Sequence, residues 1–119
     1  MVRAEEAAYP GFCRVILARH AGEMTDLDER ERARLMAVVF AVEEAVRETM
    51  RPDKVNLAAL GNAVPHLHWH VVPRFRDDPH FPGTVWSATR REARVPPERM
   101  ARARALESAL RARLERLRP

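Results

Sequence analysis

The chain has 119 residues and a mass of 13.7 kDa, enough for one compact domain and short for two. Hydrophobic residues at 46% and charged residues at 32% exclude a chain too polar to bury a core, and the single cysteine, Cys13, excludes an internal disulfide and a cysteine-based zinc site. The formal charge of +4 gathers at one end: residues 90–118 hold ten arginines and four glutamates, so residues 1–89 are mildly acidic. Aromatic residues at 6% argue against a stacking platform for single-stranded nucleic acid. No apolar run is long enough to span a bilayer and the first residues lack the apolar stretch of a secretion leader, so a cytoplasmic location and no membrane partner are expected.

Residues 12–18 follow the turn signal Tyr9-Pro10-Gly11 and read as a strand, and residues 20–27 as a polar connection. Asp28 three residues before Glu31 forms a capping box that opens a helix of about six turns. Leu35, Val39, Val42 and Val46 make its apolar stripe, with Met36, Phe40 and Met50 widening it, and Pro52 stops it. Lys54 to Leu60 reads as a second strand, Gly61-Asn62 as a turn, and His66 to Val72 as a third strand ended by Pro73, the last two pairing antiparallel. Residues 74–89 are loop-like. Pro96-Pro97 opens a last helix with Met100, Ala103, Leu106, Leu110, Leu114 and Leu117 as its stripe. The order strand, helix, strand, strand, helix gives an α+β fold with an antiparallel sheet. Residues 1–89 are expected to form the main domain, with the basic helix of residues 90–119 part of it or a dimer contact.

Three of the five histidines, His66, His68 and His70, fall on alternate positions. On a strand they share one face, leaving Leu67, Trp69 and Val71 on the other to meet a helix. A core-facing strand has no structural use for three imidazoles in a row, because each must find a partner or stay wet. The competing readings are an exposed polar face and a metal site formed by the imidazoles. The metal reading lacks a carboxylate or cysteine ligand beside them.

Residues 66–72 match the alternating histidine–apolar signature of the histidine triad (HIT) superfamily. Tyr9-Pro10-Gly11-Phe12, the long capped helix, the Asn56 strand and Gly61-Asn62-x-Val64-x-His66 fall in the same order. The resemblance covers roughly residues 2–74. It is to the bacterial branch often labelled diadenosine tetraphosphate hydrolase, and it implies a HIT-like sheet with its N-terminal strands shortened here.

The resemblance implies a nucleotide hydrolase or transferase acting at an α-phosphate. His68 would be the nucleophile and carry a nucleotidyl-histidine intermediate, with the backbone of His66 fixing its tautomer. A protonated His70 would meet the phosphate or bridging oxygen. Asn62, the backbone N–H of Ala63, Asn56 and, in uncertain register, Glu5 would contact substrate. No cofactor or metal is implied, a homodimer is, and the partner is a nucleotide or dinucleoside polyphosphate rather than nucleic acid.

Two positions and one segment depart from the family pattern. Phe12 stands where many members carry a fourth pocket histidine, and Ala63 where Ser or Thr is common. The segment before Pro10 is short, which would leave a sheet edge uncovered. A nucleotide-binding protein without catalysis is therefore the second reading.

Outside the triad, His20 is expected to bond to its loop or to the helix start, and His80 to be solvated. Cys13 is expected to be buried, and Trp69 to be core. Arg74 is divided between a phosphate contact and a surface ion pair, and Trp86 between packing on the sheet and closing the pocket. The basic helix is read as a solvated face over an apolar stripe, because Glu98, Glu107 and Glu115 interrupt its charge.

Overall fold

The computed structural model describes residues 2–4 and 6–119. Strands β1 (Val2–Ala4), β2 (Cys13–Ile16), β3 (Lys54–Ala58) and β4 (His68–Arg74) form one antiparallel sheet in the order β1-β2-β4-β3. Helix α1 spans Glu29–Met50 and helix α2 Pro97–Arg116. This is the α+β architecture expected. The edge of β2 is paired with β1 in the register Val2 to Val15 and Ala4 to Cys13, so it is not bare.

Helix α1 begins where the capping box places it. The Asp28 carboxylate accepts from the Glu31 backbone N–H at 2.8 Å, and the Glu31 carboxylate accepts from the Asp28 N–H at 3.1 Å. Its far end is closed by Arg51 in the left-handed region, φ 50°, just before Pro52. Leu35, Val39, Val42, Ala45, Val46 and Met50 are its buried face. Phe40 does not widen that stripe: it is 49% exposed, because it lies about 100° around the helix from Val39. The core joins this face to Cys13 and Val15 of β2, Val71 of β4 and Leu106 and Leu110 of α2.

Helix α2 runs antiparallel to α1 on this same chain. Arg102 near its start donates to the Met50 carbonyl, and Leu117 at its end accepts from Arg34. Arg113 pairs with both Glu44 and Glu48. Leu106 and Leu110 are buried and Ala103 and Leu114 packed, whereas Met100, expected in this stripe, is 41% exposed and not part of it. No helix of the described residues is long and apolar enough to cross a membrane.

Strand β4 corrects the sequence reading at both ends. It starts at His68, not His66, and it runs through Pro73 to Arg74. The β2–β4 ladder covers only His68 to Val71, so beyond Val71 strand β4 is paired on the β3 side alone. The missing N–H of Pro73 then costs no ladder bond there. At the other end, hydrogen bonds from Leu67 N–H to Ala21 O and from Leu17 N–H to Leu67 O replace the ladder and carry His66 out of it. Strand β3 likewise stops at Ala58, short of Leu60.

Candidate active site

The pleat of β4 sends Trp69 and Val71 toward α1 and His68, His70, Val72 and Arg74 to the opposite face. Register adds neighbours to that second face. Arg14 of β2 lies opposite His70 and Ile16 opposite His68; Ala58, Asn56 and Lys54 of β3 lie opposite His70, Val72 and Arg74. The loop after β4 folds back over part of this face, bringing Trp86 and Val85 above it.

Hydrogen bonding fixes two of the three imidazoles. His68 Nδ1 lies 2.6 Å from the His66 carbonyl oxygen. A carbonyl can only accept, so Nδ1 carries the hydrogen and Nε2 of neutral His68 presents a lone pair. His66 Nε2 lies 2.7 Å from the Leu17 carbonyl and is protonated by the same reasoning, which turns its Nδ1 toward His20 Nδ1 at 3.2 Å. His20 therefore bonds to the first histidine of the motif and stacks on it at 5.4 Å between ring centroids.

His70 is in a different setting. It is 6% exposed, its Nδ1 is buried without a partner, and its ring packs edge-on against Phe12, His68 and Trp86. Burial, with the nearby His68 and Arg14 charges adding to it, lowers its pKa from 6.5 to about 4. His70 is thus neutral near pH 7 in this structure, against the protonated imidazole that the resemblance implies. Phe12 is 3% exposed and packs on His70 where many members carry a histidine. Trp86 is half exposed with its ring 4.9 Å from His70, so it closes one side of the site rather than packing into the core.

A cavity of about 200 Å³ opens beside His68, lined by residues 22–25, 59–61 and Leu67. Gly61 lines it from the turn before the triad. Asn62 and Ala63 in the same turn are exposed and do not line it. Asn56 lies on the triad face at a second cleft, and its Oδ1 accepts from Arg74 Nη1 at 2.7 Å. Glu5 lies outside the described residues. Among the described residues no group of three or more His, Cys, Asp or Glu side chains is placed to hold a metal ion.

Arg74 is neither on the surface nor free to meet phosphate. It is 2% exposed and makes a two-pronged pair with Asp78, Nε to Oδ2 at 2.9 Å and Nη2 to Oδ1 at 3.1 Å, while Nη2 also donates to the Gly83 carbonyl. Burial pushes the Asp78 carboxyl up, but Arg74 and the N–H groups of Phe75, His80 and Phe81 outweigh it and hold it at about 2. The Tyr9 hydroxyl joins from below, 3.2 Å from Asp78 and 2.5 Å from His80 Nδ1. His80 is therefore part of this network and not solvated. Burial of the Tyr9 hydroxyl and the neighbouring Asp78 charge raise the Tyr9 pKa to about 12. Sequence reading missed this network because its members are linked by the fold of the 75–91 loop, and no periodicity announces it. Cys13 is fully buried, and burial pushes its thiol up to about 12, as fits an inert core residue.

Comparison with known proteins bears on the family and the fold. The HIT domain family profile matches residues 1–77, and the chain belongs to that family. A protein of Mycobacterium tuberculosis named AP-4-A phosphorylase is 35% identical over 78 residues, covering 60% of this chain and 40% of that protein. The chain thus spans well under half the length of the curated relatives it matches. Among solved structures, a histidine triad protein of Bradyrhizobium japonicum is 36% identical with a TM-score of 0.72, covering 90% of this chain and 77% of that one. A histidine triad protein of Sinorhizobium meliloti is 26% identical with a TM-score of 0.73, covering 91% and 81%.

Proposed function

We propose that this domain transfers a nucleotidyl group through His68. The observation that carries the reading is the 2.6 Å contact of His68 Nδ1 with the His66 carbonyl, which in the neutral ring leaves the lone pair on Nε2, and His68 itself lines a cavity. The Nε2 lone pair attacks the α-phosphorus of a nucleotide. The bond from phosphorus to the bridging oxygen breaks, and the leaving group departs with the electron pair. In the second step an acceptor oxygen attacks the same phosphorus, the P–N bond returns its electrons to Nε2, and the acceptor's proton passes to solvent. His70, neutral and dry, acts as a hydrogen-bond donor to a phosphate oxygen rather than as a standing cation. Of the turn of residues 61–63 only Gly61 lines the cavity, so the exposed Asn62 and Ala63, which the resemblance assigns to phosphate, would meet a bound nucleotide from outside its wall.

Water as acceptor makes the protein a hydrolase. The name of the Mycobacterium tuberculosis relative favours inorganic phosphate as a second candidate. Diadenosine tetraphosphate separates the two: attack at the α-phosphorus releases ATP in either case, and the adenylyl group leaves as AMP with water or as ADP with phosphate. Product analysis with and without added phosphate, on wild type and His68→Ala, decides between them. Release of either product by wild type and its loss in the variant is expected. Equal turnover by His68→Ala overturns the reading, and AMP binding with no turnover replaces it with a nucleotide-binding protein, the alternative that Phe12 and Ala63 favour.

A further inference from the structure

We infer that the buried Arg74–Asp78 pair is a positioning device that makes Asn56 a hydrogen-bond donor in a subsite for the phosphate-bearing leaving group. This rests on the nucleotidyl-transfer reading and extends it to a part of the site that the triad does not reach.

Four observations combine. First, a cleft of about 390 Å³ lies between β3 and the loop at residues 82–86, on the triad face. Trp86 and Ala58 belong to its lining; Trp86 packs on His70 and Ala58 lies opposite it in the ladder, so the cleft abuts the reacting centre. Second, its lining includes Lys54 and no carboxylate, which suits an anion. Third, the Asn56 amide is not free to choose its orientation. Its Oδ1 accepts from Arg74 Nη1 at 2.7 Å, and Arg74 can only donate, so Nδ2 is the group left over. Nδ2 makes no hydrogen bond among the described residues. Fourth, Arg74 is itself fixed by the two-pronged bond to Asp78 and by the Gly83 carbonyl, so the amide is held by a buried frame. The result is a preset donor on a residue lining a cleft that abuts His70 and carries Lys54, whose ammonium donates to the Val55 carbonyl, at its other end, which fits a phosphate oxygen of the departing group.

Asn56→Asp gives the discriminating test. Aspartate still accepts from Arg74, so a purely structural role for Asn56 survives the change, but the Nδ2 donor is lost and a like charge meets the phosphate. KM for diadenosine tetraphosphate is expected to rise by about tenfold or more, while AMP, which has no leaving group, binds within about twofold of wild type. Melting temperature is expected to be unchanged or higher. Arg74→Lys, which keeps a charge against Asp78 but loses the fork to Asn56, should raise the same KM and spare AMP binding. Wild-type KM in Asn56→Asp overturns the subsite while leaving the His68 reading intact. An equal loss of AMP affinity also overturns it, by placing Asn56 at the transferred nucleotide. Wild-type protein that neither binds AMP nor turns over the dinucleotide overturns the nucleotidyl-transfer reading and the subsite with it.

Discussion

The dry setting of His70 makes the stability of the fold depend on pH in a defined window. Native His70 titrates at about 4, against 6.5 for an ordinary histidine. Between those values the unfolded chain takes up a proton that the native ring refuses, so stability falls as pH falls from 6.5 toward 4. At 1.36 kcal/mol per pH unit the full difference corresponds to about 3 kcal/mol. By pH 4.5 most of it is lost, and allowing for water at the ring edge, about 2 kcal/mol less stability than at pH 7 is expected from this residue. For a chain of this size that is a fall in Tm of roughly 5–10 °C. The assay is thermal unfolding at pH 7 and pH 4.5 of wild type and His70→Asn. The variant has a lower Tm at pH 7, because it loses the packing on Phe12 and Trp86, but a shallower pH dependence. Carboxylates contribute equally to both proteins, and Asp78, which titrates at about 2, loses its contribution only at lower pH. Identical pH dependence in the two proteins would refute the argument that burial keeps His70 neutral.

Arg74→Met strands a buried Asp78 carboxylate, and urea unfolding should show a loss of about 3–5 kcal/mol, far above the value of a surface ion pair. Gly11→Ala is expected to cost at least about 1–2 kcal/mol in the same assay, since Gly11 has φ +86° and an added Cβ would stand 2.9 Å from the Met50 side chain. Cys13, buried with its thiol raised to about 12, should resist a thiol reagent at pH 8 in native protein and react on unfolding; rapid native labelling would contradict its core position.

The elements governed by local rules were legible in the sequence. The Asp28–Glu31 capping box and the stripe from Leu35 to Met50 place α1 to within a residue, because cap and periodicity are both short-range. The alternation His66, His68, His70 marks the candidate site, although only the last two lie on the strand. The error at Pro73 has a tertiary origin: whether proline ends a strand depends on which side is paired, and that was settled by where β2 stops. Arg74 is the clearest limit. Nothing in the segment Arg74 to Asp78 signals that its loop folds back to bury both charges, so a residue divided between phosphate and surface proved to be the frame for Asn56. Part of the charge of the C-terminal helix is likewise paired within the chain, Arg113 with Glu44 and Glu48 and Arg99 with Asp77, and α2 packs on α1.

The central claim is that His68 carries the nucleotidyl group. Intact-protein mass spectrometry after rapid acid-free quenching of the reaction with diadenosine tetraphosphate tests it most directly. A mass increase of one adenylyl group, mapped by fragmentation to His68 and missing in His68→Ala, is the result predicted. Turnover by wild type with no adduct at any time point, together with undiminished turnover by His68→Ala, would contradict it.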